Sequence, residues 1–99
     1  MDAHTFYVKG SALNRQGASA LLNPEFPTLK AEMESAIKLV GAENDRAKTR
    51  GKPLYCAPAK PDMTADQLLA EFRRIPQERR RKITVRQAWR EIAIRRFPC

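Results

Sequence analysis

The two cysteines, Cys56 and Cys99, are the side chains of this 99-residue chain best suited to a covalent step, because two thiols can be oxidised to a disulfide. A bridge would join the last residue of the sequence to its middle. Closing a loop of about 44 residues would stabilise the fold by roughly 4 kcal/mol. Because disulfides persist in oxidising spaces, the bridge predicts a periplasm or a similar compartment. The alternative is a pair of reduced thiols in a cytosolic protein.

The sequence offers few residues that could form a catalytic site. His4 is the only histidine and lies where we expect a frayed terminus, so no Ser/His/Asp or Cys/His arrangement can be built around it. Two cysteines without a further histidine do not make a zinc site, and the four glycines are too scattered for a phosphate-binding loop. The sequence therefore predicts a protein that is not an enzyme, with no metal site and no cofactor.

Positive charge is concentrated in the C-terminal half. Residues 1–49 carry equal numbers of basic and acidic side chains, so the whole net charge of +8 belongs to residues 50–99. This favours an acidic partner, although a solvated basic face that only keeps the protein soluble is the alternative. The candidate contact residues are five arginines of the densest stretch: Arg73, Arg74, Arg79, Arg80 and Arg81.

Arginine suits a protein interface because its planar fork pairs bidentately with carboxylates. Nucleic acid is the rival partner, since an arginine-rich helix can lie along a phosphate backbone. Against it, the sequence has no recognised helix-turn-helix spacing, and Trp89 falls on an apolar stripe, where a core position is favoured over a stacking platform. We therefore expect a protein partner and no nucleic acid.

Helical spacing of apolar residues dominates the chain. It predicts a first helix over 10–22 and a long second helix over 28–48, with Thr28 as the N-cap. The apolar stripe of that second helix comprises Leu29, Met33, Ala36, Ile37, Val40 and Ala47. After it, prolines predict an extended linker over 54–62, which contains Cys56.

Two capping boxes, at Thr64 and Thr84, predict the starts of the last two helices. Pro76 ends the first of them, and the second begins at Thr84 or, alternatively, at Gln77 with a kink. These elements predict an all-α, small four- to five-helix bundle, stapled by one disulfide and forming a single domain. We expect residues 1–9 to be flexible. No apolar run is long enough to span a membrane.

Five motifs follow one another along the chain: Leu54-Tyr55-Cys56-Ala57-Pro58, Met63-Thr64 with Gln67-Leu68-Leu69, Ile75-Pro76, Ala88, and Phe97-Pro98-Cys99. In this order and spacing they resemble the Rap/Tai family of type VI secretion immunity proteins. The resemblance covers about residues 29–99. The family often carries a Gly-Tyr-x-x-Gly element on its long helix, and only Gly41 corresponds to it here.

The resemblance implies a helical periplasmic protein, commonly a dimer, that binds a cognate peptidoglycan-cleaving amidase and occludes its active-site cleft. Its two cysteines would then be structural. Our hypothesis is that the five arginines contact an acidic rim on the amidase. The sequence begins without a visible signal peptide, so we expect that an export segment was removed and replaced by Met1. The alternatives are an acid-stress periplasmic chaperone of the HdeA kind and a small basic nucleic-acid-binding protein.

Overall fold

The computed structural model describes residues 1–58 and 63–99. Within these ranges the chain forms five α-helices and one 3-10 helix: α1 (Ala3–Arg15), the 3-10 helix (Gly17–Leu22), α2 (Phe26–Thr49), α3 (Ala65–Arg74), α4 (Gln77–Arg80) and α5 (Val85–Arg96). A disulfide joins Cys56 to Cys99. The predicted all-α bundle with one disulfide is therefore confirmed. The last part of the predicted linker, residues 59–62, lies outside the described residues.

The N-terminal segment is helical, contrary to the prediction that residues 1–9 are flexible. Ala3 and Phe6, both in α1, are buried in the core. The backbone N–H of Ala3 also donates to the carbonyl oxygen of Ile83 at 2.9 Å. His4 therefore lies in an ordered helix, not in a frayed end. This segment is ordered by contacts with residues that are distant in sequence, which a local pattern does not reveal.

Asp2 caps the start of α1, and its Oδ1 accepts a hydrogen bond from the backbone N–H of Thr5 at 2.8 Å. This bond, followed by the one from the Thr5 hydroxyl, lowers the pKa of the Asp2 carboxyl below its ordinary value of 3.8. Because the folded-state pKa is the lower one, the stabilisation is present above the unfolded-state pKa and is lost as the pH falls through the folded-state pKa.

We expect Asp2→Ala to lower the free energy of unfolding by about 1 kcal/mol at neutral pH. Asp2→Asn keeps a capping oxygen but cannot titrate, so it should cost little at neutral pH. Urea unfolding at pH 7 and at pH 2 measures the difference in stability between the wild type and Asp2→Asn. That difference should shift against the wild type in acid, and a value that does not change with pH would contradict the prediction.

Gly17 divides the predicted first helix into two elements. Its φ of 62° lies in the left-handed region, which glycine adopts without steric cost and which ends α1. The chain then continues as the 3-10 helix, whose last two residues are exposed: Leu21 by 66% and Leu22 by 87%. Most residues of the helix predicted over 10–22 are therefore helical, but they belong to two separate elements instead of one.

The apolar stripe of α2 is buried as predicted except at Ile37, which is 47% exposed. The helix begins two residues earlier than expected, at Phe26, with Pro27 in its first turn. Proline is well placed there because the first turn leaves its amide groups without intrahelical partners. The predicted N-cap, Thr28, consequently lies inside the helix.

Both predicted capping boxes are present. The Thr64 hydroxyl accepts from the Gln67 backbone N–H at 3.1 Å, while the Gln67 side chain accepts from the Thr64 N–H at 2.9 Å. Thr84 and Gln87 make the same pair of bonds at the start of α5. α4 is a separate turn of helix, so a kinked α5 starting at Gln77 is ruled out.

α1 runs antiparallel to α3, whereas α2 and α5 pack side by side. The first pair is seen in the contact between the Phe6 and Phe72 rings, whose centroids are 5.0 Å apart. The second pair includes an ion pair in which Arg90 Nε lies 2.8 Å from Glu43 Oε1. The largest fully buried side chains belong to three of these helices: Phe72, Ile92, Val40 and Val85.

Candidate partner-binding surface

The disulfide fixes the segment 54–58 against the end of α5. The Cα atoms of Cys56 and Cys99 are 4.9 Å apart, a usual separation for a bridged pair. The backbone N–H of Cys56 also donates to the carbonyl oxygen of Phe97 at 2.8 Å. One covalent bond and one hydrogen bond therefore connect this segment to the residues that directly follow α5.

Asn44 attaches the same segment to α2, and the sequence analysis missed it. Its Oδ1 accepts from the backbone N–H of Leu54 at 2.8 Å and of Tyr55 at 3.2 Å. Its Nδ2 donates to the Tyr55 carbonyl oxygen at 3.1 Å. Its position in the sequence could have indicated this role, because Asn44 falls on the apolar stripe of α2, between Val40 and Ala47, and is buried there. A buried amide in a stripe of apolar residues needs partners, and a neighbouring loop supplies them.

The basic turn, residues 73–82, joins α3 to α5 by way of α4. Four of the five arginines predicted to contact a partner are exposed on it: Arg73, Arg74, Arg79 and Arg81. The fifth, Arg80, is only 6% exposed. The prediction that Arg80 contacts a partner is therefore wrong, because a buried guanidinium does not reach a partner.

Arg80 instead caps the C-terminal end of α3. Its Nη1 donates to three carbonyl oxygens, those of Phe72 at 3.3 Å, Arg73 at 3.1 Å and Ile75 at 2.6 Å. The last carbonyls of a helix have no intrahelical partner, so this single side chain satisfies several of them. The guanidinium also connects α3 to α1. Its carbon lies 4.5 Å from the centroid of the Tyr7 ring, and its Nε donates to His4 Nδ1 at 3.4 Å.

The exposed arginines of the basic turn differ in their ion pairs. Arg79 Nε donates to Glu91 Oε1 at 3.0 Å, and the hydrogen bonding and charge of Glu91 raise the pKa of the Arg79 guanidinium. Arg74 pairs with Glu71. Within the ranges 1–58 and 63–99, Arg73 and Arg81 make no ion pair. Among the predicted contact arginines, these two are therefore the most available to an acidic partner.

Glu71 is a buried carboxylate that the sequence analysis did not single out. Its Oε1 lies 3.3 Å from Arg74 Nη1 and 3.4 Å from Arg95 Nη2, and its Oε2 lies 3.9 Å from Arg96 Nη1. A carboxylate removed from water needs charged partners of this kind. The cluster joins the end of α3 to the end of α5 and neutralises part of the basic half.

An open apolar cavity of about 440 Å³ lies between α1, the 3-10 helix, α2 and the start of α3. Buried side chains from α1 and α2, including Phe6, Leu13, Leu29 and Met33, line it. A smaller, polar cleft of about 370 Å³ lies next to it. Neither was predicted, since both depend on how separate elements pack.

The exposed guanidinium groups of the basic turn can bind carboxylates without a covalent step.

Among the described residues, no group of three or more His, Cys, Asp or Glu side chains is placed to hold a metal ion. No helix in those same ranges is both long and apolar enough to cross a membrane. Comparison of the chain with protein-family models, curated proteins and solved structures yields no match.

Proposed function

We propose that this protein is a periplasmic immunity protein that binds a cognate peptidoglycan amidase and occludes its active-site cleft. The amidase would be an effector delivered by the type VI apparatus of sister cells, as the resemblance to the Rap/Tai family implies. The observation that carries the proposal is the basic turn, in which a buried arginine, Arg80, braces a surface of exposed ones.

A braced turn suits an inhibitor because its conformation is ordered before docking. Ordering a loop or a long side chain on binding costs free energy, and a turn already attached to α1 and α3 avoids most of that cost. Arg73 and Arg81, the two predicted contact arginines that are exposed and make no ion pair within residues 1–58 and 63–99, would steer the protein towards an acidic rim on the amidase. Arg73 and Arg81 should therefore affect the association rate more than the final affinity.

The disulfide supports an extracytoplasmic location, because bridges of this kind persist in oxidising compartments. Peptidoglycan and the enzymes that cleave it lie outside the cytoplasm, so an inhibitor of such an amidase has to act there. The periplasm is the compartment that the proposal requires.

Reversing the charges of these two arginines, as Arg73→Glu with Arg81→Glu, should slow association with the amidase by roughly tenfold or more at low salt. The rate should also become less sensitive to ionic strength. Arg79 is left unchanged because a glutamate there would face Glu91. Stopped-flow or surface-plasmon measurements over a range of salt concentrations give the rates. The partner for the test is a peptidoglycan amidase whose gene adjoins that of this protein, and the absence of such a gene would contradict the proposal.

The matched control is Lys48→Glu with Arg50→Glu, which makes the same change in net charge at the exposed C-terminal end of α2. It should leave the association rate close to that of the wild type. Equal rates for the two double variants would eliminate the basic turn as the docking surface. Failure of the wild-type protein to inhibit peptidoglycan cleavage by that amidase would eliminate the immunity function itself.

A second candidate function, a periplasmic acid-stress chaperone, is favoured by the exposed leucines Leu21 and Leu22 beside the open apolar cavity. The breadth of clients separates the two functions. A chaperone would suppress the aggregation of several unrelated proteins at low pH, whereas an immunity protein would bind one amidase at neutral pH.

A further inference from the structure

The apolar cavity owes its opening to a change of helix type. Gly17 ends α1, and the 3-10 helix that follows turns towards α2 with only Ala20 buried from its six residues. An alanine fills little of the space between α1 and α2. Leu21 borders the cavity while remaining 66% exposed, so the opening faces solvent.

Among the described residues, the lining is apolar apart from two side chains, Lys30 and Asn14. Of the described residues that line the cavity, only Lys30 is charged, and its one ion pair with another described residue is with Glu34, at 3.8 Å. Both members of that pair are largely exposed, so the pair is weak and an anionic ligand can compete for the ammonium group. The cavity therefore combines a surface for a hydrocarbon with a cation at its edge.

The adjoining polar cleft adds to this charge pattern. It shares Asn14 and Leu69 with the apolar cavity and contains two cations, Arg15 and Arg73. Its one carboxylate, Asp66, accepts a hydrogen bond from the Asn14 side chain. The three cations Lys30, Arg15 and Arg73 outnumber the carboxylates beside them, so the surroundings favour an anionic group over a cationic one.

The size of the cavity restricts the ligand further. A volume of about 440 Å³ lies within the range of small-molecule sites but towards its lower end. It suits one alkyl chain better than the two chains of a phospholipid. Buried Leu13, Leu29 and Met33 would contact the chain, and the open side near Lys30 would leave the anionic group in water.

We propose that this cavity binds one free fatty acid, with its alkyl chain between α1 and α2 and its carboxylate beside Lys30. This is a second binding site, separate from the proposed immunity function, because the residues that would contact the fatty acid, Leu13, Leu29, Met33 and Lys30, lie outside the basic turn. The chain provides affinity through burial of apolar surface, and the lysine provides the preference for a carboxylate.

Calorimetric titration with octanoate, decanoate and dodecanoate, each below its micelle concentration, measures binding directly. Affinity should rise by roughly fourfold for each added methylene until the chain fills the cavity. The ¹³C-methyl resonance of Met33 should shift during the titration, because this side chain lines the cavity. Absence of saturable binding, or a Met33 resonance that does not move, would overturn the proposal.

Two neighbouring leucines give a matched pair of variants. Leu21→Glu places a charge at the edge of the cavity and should weaken dodecanoate binding by about tenfold or more. Leu22→Glu is the control, because Leu22 is 87% exposed and does not line the cavity. Since both positions are exposed, neither variant should unfold, and circular dichroism verifies this. Equal loss of binding in the two variants would contradict the site.

The lysine is tested with Lys30→Glu, and Lys38→Glu on the exposed side of the same helix is the control. Lys30→Glu should weaken dodecanoate by about fivefold or more while leaving dodecanol, which has no charge, nearly unchanged. Equal effects on the acid and the alcohol would refute the carboxylate assignment.

Sedimentation tests whether a second copy of the chain covers the cavity instead. If the wild type is a dimer and Leu21→Glu dissociates it, a second copy covers the cavity and the proposal is wrong.

Discussion

Replacing Cys56 and Cys99 together by serine should lower the free energy of unfolding by about 4 kcal/mol, the largest effect expected in this chain. The bridge closes a loop that includes α3, α4 and α5, so its loss enlarges the unfolded ensemble. For a domain of this size, total stability is of the order of 5 to 15 kcal/mol. The variant should therefore lose between about a quarter and four fifths of its stability.

Urea unfolding of the wild type, with and without reductant, measures this contribution. The midpoint should fall on reduction to that of the double serine variant, and reductant should have no effect on the variant itself. An unchanged midpoint for the reduced wild type would contradict the prediction. Because both cysteines are exposed, reductant can reach the bridge without prior unfolding.

Asn44→Ala shows whether the disulfide and Asn44 act on one structural unit. Both attach the segment 54–58, one to α5 and the other to α2. Residues that share a partner give non-additive effects. We therefore expect Asn44→Ala to lower the free energy of unfolding by different amounts with and without the bridge. If the two losses of stability simply add, the two attachments are independent.

Replacing Arg80 by alanine should lower the free energy of unfolding by about 3 kcal/mol, since the carbonyl oxygens of Phe72, Arg73 and Ile75 each lose the hydrogen bond from its guanidinium. Two of those bonds are buried, so water does not readily replace the guanidinium. Alanine at Arg81, its exposed neighbour, should change stability by less than about 0.5 kcal/mol. Two adjacent arginines should thus differ several-fold in their contribution to folding.

Urea unfolding of the two alanine variants gives the comparison, and Arg80→Lys adds a second test. Lysine keeps the charge but lacks the planar fork, so it should recover only part of the lost stability. Hydrogen exchange supplies a local readout, because amides in the basic turn should exchange faster in Arg80→Ala at temperatures where the protein remains folded. Equal stabilities of Arg80→Ala and Arg81→Ala would contradict the structural role of Arg80.

This result would also separate two roles within one stretch of arginines. Arg80 stabilises the turn from inside, whereas Arg73 and Arg81 present charge on its surface. Loss of partner binding in Arg80→Ala would accordingly follow from disorder of the basic turn, and loss in the charge-reversal variant from the missing contacts alone.

Features that depend on nearby residues could be predicted from the sequence. The capping boxes at Thr64 and Thr84 need only a threonine and a glutamine three positions apart, and both are present. The stripe of α2 follows from helical periodicity, and it is correct at every predicted position except Ile37. The disulfide followed from the cysteine count, because the chain offers only one possible pair.

Features that depend on residues far apart in the chain were decided by the tertiary structure. The start of α1 at Ala3, the burial of Arg80 and the partners of Asn44 all require contacts with distant elements. The apolar cavity likewise arises from the packing of α1, the 3-10 helix and α2. Residue type alone does not separate a buried arginine from an exposed one, because both kinds are charged and lie in the same run. The sequence thus determined the all-α class, the starts of α3 and α5 and the region where positive charge accumulates, while the packing of the helices decided which charges remain available to a partner.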